Sequence, residues 1–337
     1  MSVVDIDTLA ARIDGLAKPR GALGRLERLA VDLARMQERA TPRATQVTLL
    51  LFAGDHGLVK DGVSAYPAAV TRAMVETLLA GRASANALAR SVGAEVRVID
   101  AGVDADFGDR PGLHGPKVRR GTRNAAVEPA MTRDEVDAAL ALGAAHARRA
   151  IVDGADVLAI GEMGIGNTAA SSLLLHRLAG IPLAQCVGPG AGHDAAGLTR
   201  KQAVLARAAA RTAADDPRRV LEEFGGLEIA AMAGAIHEAA ATRTPVLVDG
   251  FIASAAALAA VRLRPASRGH CLFAHMSAEP GHRALLAALD AEPLLQLDLR
   301  LGEGTGALLA VPLLRAATTL LDGSIATLDE VLAAARA

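Results

Sequence analysis

Three stretches of this 337-residue chain are dense enough in glycine to bring backbone N–H groups against an anion: Gly161-Glu-Met-Gly-Ile-Gly-Asn-Thr, Gly188-Pro-Gly-Ala-Gly-His-Asp and Gly302-Glu-Gly-Thr-Gly. Glycine removes the side chain that would hold a ligand off the backbone, and a following helix adds a partial positive end, so phosphate is the natural guest. None of the three continues into the Gly-Lys-Ser/Thr of a Walker loop, and none has dinucleotide-fingerprint spacing; a nucleoside monophosphate is expected. Glu303 stands between two of these glycines, and Glu162 occupies the matching place in another turn. Beside apolar Leu301, Glu303 is expected to be desolvated, which raises a carboxyl pKa and suits it to general-base work near neutrality. Two such acids are suited to hold ribose hydroxyls or to share acid–base work. Taken alone, each acid is better explained as a solvated loop residue; three glycine turns together make a ligand site the expectation.

Competing chemistries are weaker. Asp55 and His56 in Gly-Asp-His-Gly, with Asp249 and His275, suggest a metal-dependent phosphoesterase, but zinc-motif spacing is missing and Asp-His turns commonly bond their own backbone. No metal is expected. No Ser or Cys sits in a Gly-x-Ser-x-Gly elbow, which argues against a covalent hydrolase. A non-catalytic nucleotide carrier would leave unexplained why acids, which repel phosphate, stand in these turns.

The elements that position these turns repeat one pattern: a short Val/Leu/Ile run, a glycine-bearing polar turn, then an Ala-rich helical stretch. The runs begin at Val47, Val96, Val157, Leu183, Val246, Leu272 and Leu295. Continuous rather than alternating apolar runs belong to strands buried on both faces, and their alternation with helices predicts an α/β fold with a Rossmann-like, mostly parallel sheet. The polar turns then lie at the carboxyl edge, where such sheets bind ligands. Residues 104–130, rich in Gly, Pro and Arg, read as a loop. The first 40 residues and the chain after Ala307 read as helical. The expected division is a small helical domain from residues 1–42 plus 311–337 and an α/β nucleotide-binding domain over residues 43–310.

Composition narrows the partners. Lys+Arg is 36 against Asp+Glu 37, and aromatics are 2% with no Trp, so neither a basic field nor a base-stacking platform for nucleic acid is available. Two cysteines, Cys186 and Cys271, suit a reducing compartment. The first residues carry acids rather than a secretory signal, and the longest apolar stretch, Phe251 to Val261, is too short to span a bilayer. A cytoplasmic protein without membrane or nucleic-acid partners is expected. Only four of the 36 basic residues are lysines (Lys18, Lys60, Lys117, Lys201), so a retained lysine is a candidate for a point-charge role, although chance explains any single one equally well.

Read in order, Lys18-Pro-Arg-Gly-Ala-Leu-Gly-Arg-Leu-Glu, Ala53-Gly-Asp-His-Gly, Gly62-Val-Ser-Ala-Tyr-Pro, the Gly161 turn, Ser277-Ala-Glu-Pro-Gly-His and Leu299-Arg-Leu-Gly-Glu-Gly-Thr-Gly resemble the nicotinate-nucleotide:dimethylbenzimidazole phosphoribosyltransferases, over nearly the whole chain. The resemblance implies transfer of ribose 5-phosphate from nicotinate mononucleotide to a benzimidazole-type base, without a cofactor, by a homodimer with active sites near the subunit interface. It implies Glu303 as the general base, with Glu162 and Lys201 in the site, the lysine directed toward the nucleotide's phosphate or carboxylate. Gly164, Gly166, Asn167, Thr168, Gly188, Gly190, Ser277, Gly302 and Gly304 would hold the nucleotide, and Ser64, Tyr66, Met163 and Leu301 would meet the base. Ala68 departs from the glutamine common in the family at this place, which implies relaxed choice of the acceptor base.

Overall fold

The structure, a computed structural model, describes residues 5–190 and 192–337. Six strands form one parallel sheet: β1 (Val47–Gly54), β2 (Glu95–Gly102), β3 (Leu113–His114), β4 (Val157–Met163), β5 (Val246–Val248) and β6 (Cys271–Phe273). Their order is β3-β2-β1-β4-β5-β6, so the winding reverses between β1 and β4, and a crevice is expected at the carboxyl ends there. Every residue of β1 is buried, as its unbroken apolar run requires. Alternate residues feed opposite cores. Leu50, Phe52, Leu158 and Ile160 join helices Arg133–Val152, Asn167–Ala179, Leu227–Ala241 and Phe251–Leu263. Leu49, Leu51, Val157 and Ala159 join helices Arg25–Gln37, Ser84–Val92 and Thr305–Thr318 on the other face.

The richness in Ala and Gly has a packing cause. A Cβ on Gly143 would lie 1.7 Å from the Ala231 carbonyl oxygen, and one on Gly234 would lie 2.0 Å from that of Leu140. The 133–152 and 227–241 helices thus touch backbone to backbone, which only small residues permit. At the chain ends, Leu16 bridges Thr327 and the Arg12 guanidinium donates to the Leu321 carbonyl.

Three expectations need correction. The run at Leu183 is a single helical turn, Leu183–Cys186, rather than a strand. Four apolar residues carry no periodicity that separates the two, and here the Cys186 carbonyl accepts the Ser172 hydroxyl instead of a sheet partner. The run from Leu295 gives only β8 (Leu295–Gln296), which pairs in parallel with β7 (His275–Met276) outside the main sheet. The 104–130 segment contains β3, whose two residues extend the sheet edge beside β2. Among the described residues no helix is long and apolar enough to cross a membrane.

Candidate active site

A cavity of about 420 Å³ opens at the carboxyl ends of β4, β5 and β6. Tyr66, Glu162, Met163, Gly164, Asn167, Thr168, Gly190, Ser277, Leu301, Gly302 and Glu303 line it, so turns more than a hundred residues apart in sequence converge as expected. Ser64, Gly166, Gly188, Gly304 and Lys201 are not on the wall, and each has a structural occupation instead. The Ser64 hydroxyl accepts the Tyr66 N–H at 3.1 Å and so fixes the turn carrying that ring. A Cβ on Gly166 would meet Val59 at 2.6 Å, on Gly304 it would meet Leu49 at 2.5 Å, and on Gly188 it would meet the Glu279 carboxylate at 2.3 Å. These glycines let protein approach protein. Even Gly302, on the wall, is small because a Cβ there would fall 2.3 Å from Oε1 of Glu162.

Lys201 is fully buried behind the wall. Its ammonium donates to the Thr168 hydroxyl at 2.9 Å and the Gly188 carbonyl at 3.0 Å, and burial pushes its pKa down to about 8 against the pull of Glu279. The cation therefore braces the Gly188 turn and Thr168 from beneath rather than facing the cavity. Arg300, which sequence reasoning passed over, does line the cavity.

Glu303 is held by three successive left-handed residues, Gly302 (φ 88°), Glu303 (φ 61°) and Gly304 (φ 77°). For a glutamate this conformation is uncommon and persists only where the surroundings fix it. Two contacts do so. Oε2 of Glu303 accepts the Ala85 N–H at 3.2 Å, and the Gly304 N–H donates to Asp249 at 3.1 Å. Burial raises the Glu303 pKa, outweighing the Ala85 N–H that favours the charged form, and Asp249 adds repulsion. Leu301 does not supply that burial, because it is 57% exposed at the cavity mouth. Glu303 is itself buried, with its carboxylate against the start of the 84–92 helix.

Asp249 follows β5 and also accepts the Ala307 N–H at 3.0 Å, so its charge sits on the N-terminus of the 305–318 helix. Glu162 lies against the same turn, beside Gly302, and is bonded by the Asn167 side-chain amide. Burial, with Glu228 and Asp249 beside it, pushes its pKa up to about 8. Glu228, unnoticed in sequence, is fully buried in the apolar 227–241 helix and pairs with His56 Nε2 at 2.6 Å. An acid at the head of a run otherwise apolar as far as Ile236 was the available signal. Burial opposes charge on His56, but Glu228 keeps its pKa above the ordinary value. The phosphoesterase constellation comes together only in part. Asp249 and His275 meet at 3.6 Å on the cavity wall, with Asp249 also holding backbone, but His56 goes to Glu228 and Asp55 accepts the Asp104 N–H. No group of three candidate metal ligands occurs among the described residues.

A cavity floored by buried acids, walled by glycine turns and carrying one arginine can hold a phosphorylated, partly cationic ligand beside a carboxyl of raised pKa. A phosphoribosyltransferase family profile matches residues 5–331. A nicotinate-nucleotide–dimethylbenzimidazole phosphoribosyltransferase of Cupriavidus taiwanensis is 52% identical over 315 residues, covering 93% of this chain and 91% of that protein. The chain belongs to this phosphoribosyltransferase family. A member from Pseudomonas putida is 49% identical over 334 residues, covering 98% of this chain and 95% of that protein. The crystal structure of CobT from Thermus thermophilus superposes with a TM-score of 0.93 at 46% identity, covering 97% of this chain and 98% of that one. The family read from the six motifs and the parallel α/β fold read from the apolar runs are both correct.

Proposed function

We propose that the chain moves ribose 5-phosphate from nicotinate mononucleotide to a benzimidazole-type base, releasing nicotinate and α-ribazole 5′-phosphate, with Glu303 as general base. The pyridinium is already a cationic leaving group, so no acid is needed for its departure. A ring nitrogen of the incoming base attacks the ribose carbon while the C–N bond to nicotinate breaks and its electron pair returns to the pyridine nitrogen. Oriented acid oxygens near the ribose favour the oxocarbenium-like state between these events. The attacked base is left cationic, and its remaining N–H proton passes to Glu303. Arg300 is the counter-charge for the phosphate, Glu162 faces the ribose, and Met163, Tyr66 and Leu301 offer apolar surface to the base. Holding both reactants in line lowers much of the remaining barrier. Ala68 is exposed and off the wall, which fits acceptor choice resting on apolar shape more than on a hydrogen bond. The active species is read as a homodimer, with the half-exposed Tyr66 and Leu301 at the mouth meeting a second copy.

The observation that carries this reading is the buried, raised-pKa carboxyl of Glu303 on the wall of the convergent-turn cavity. Glu303→Gln keeps an acceptor for the Ala85 N–H, so fold and nucleotide binding are expected to persist while kcat falls by about 10²–10⁴. The assay is nicotinate release from nicotinate mononucleotide in the presence of 5,6-dimethylbenzimidazole. An unchanged kcat removes Glu303 as the base, and no release by the unaltered protein removes the reading altogether.

A further inference from the structure

His282 closes the Ser277-Ala-Glu-Pro-Gly-His motif, yet it is fully buried and off the cavity wall. Its two ring nitrogens have different and forced roles. Nδ1 accepts the backbone N–H of Ser277 at 2.8 Å, so the ring proton is on Nε2, which donates to the Ser254 hydroxyl at 3.0 Å. Ser254 is itself fully buried in the 251–263 helix. The imidazole thus ties the Ser277 turn to a rigid helix.

That turn has no slack. The Ser277 N–H goes to His282, the Ala278 N–H to the Leu299 carbonyl at 2.9 Å, and the Glu279 N–H to the Ser277 hydroxyl at 3.2 Å. Three consecutive amides are committed to protein, so the turn meets a ligand with side chains rather than with its backbone. The middle bond carries the tie onward to the strand of chain that bears Arg300. Glu303, by contrast, has its own anchors in Ala85 and, through Gly304, in Asp249.

We propose that His282 is a positioning residue for the nucleotide: by accepting the Ser277 N–H it sets Ser277 and Arg300 in place on the cavity wall. The inference rests on the proposed transferase reading. Burial, with His275 beside it, pushes the His282 pKa down to about 3, so the ring stays a neutral acceptor throughout the working range.

The test exploits the near-superposition of an asparagine amide on the Nδ1 side of imidazole. His282→Asn retains an acceptor toward Ser277, whereas His282→Leu does not. The leucine variant is expected to raise KM for nicotinate mononucleotide by about tenfold or more, since a buried N–H is left unpaired. Its kcat is expected to stay within about threefold, because the anchors of Glu303 are separate. The asparagine variant is expected to recover most of the KM. An unchanged KM in His282→Leu, or asparagine as impaired as leucine, overturns the proposal. Backbone hydrogen exchange over residues 275–282 is measured alongside, with faster exchange expected in the leucine variant only. Absent transferase activity in the unaltered protein would sink the functional reading, whereas exchange unchanged in His282→Leu would sink the role of His282 regardless of activity.

Discussion

Glu162 allows the electrostatics of the site to be weighed against the stability of the whole fold. Its carboxyl titrates near 8 when folded, against an ordinary 4.5. Between those values the folded state holds a proton that the unfolded state has released, so stability falls as pH rises, by about 1.4 kcal/mol per pH unit, and levels off above 8. The ceiling on this loss is about 5 kcal/mol, and with relaxation of the neighbouring carboxyls about 2 kcal/mol or more is expected. Glu162→Gln keeps the shape and can still bond Asn167, but it cannot titrate. The variant should therefore gain on the unaltered protein as pH rises from 5 to 8, reaching roughly 0.5 M or more in the midpoint of urea unfolding. The measurement is a pair of urea curves at three pH values. Midpoints that differ by the same amount at every pH would show that Glu162 is ionised in the fold and that the acid cluster is not desolvated as described.

One further substitution and one measurement on the unaltered protein read different parts of the structure. Gly304→Ala forces a Cβ to within 2.5 Å of Leu49 at a φ of 77°, so a loss of about 2–4 kcal/mol in unfolding free energy is expected, checked by urea denaturation. Light scattering on the purified 34.4 kDa chain is expected to give twice that mass, and a monomer at micromolar concentration would refute the dimer reading.

Much of the architecture was legible because its strands are buried on both faces. Val47–Phe52 and Val157–Ile160 are apolar runs with nothing else to be, and the turns after them had to lie at one edge. Leu183–Cys186 was misread because a four-residue apolar run satisfies a helical turn equally well. Leu113–His114 and His275–Met276 are too short to leave any pattern. In the site, acids and turns were found but the purpose of several glycines was not. Sequence reveals that a residue has no side chain; it does not reveal whether the space is taken by phosphate or, as at Gly166 and Gly304, by Val59 and Leu49. His282 and Glu228 escaped for a related reason: their partners, Ser254 and His56, are distant in the chain, and only folding brings them within hydrogen-bond reach.

The cavity wall draws on residues from Tyr66 to Glu303, and they meet only along the carboxyl edge of the folded sheet. Loops so far apart cannot be brought together by local nucleation. Their encounter must await the closure of long segments, which is slow and entropically costly. The chamber is therefore expected to form late, and if Glu303 is the base proposed above, a chain truncated before residue 303 is expected to release no nicotinate. On that reading, activity doubles as a report that folding has finished.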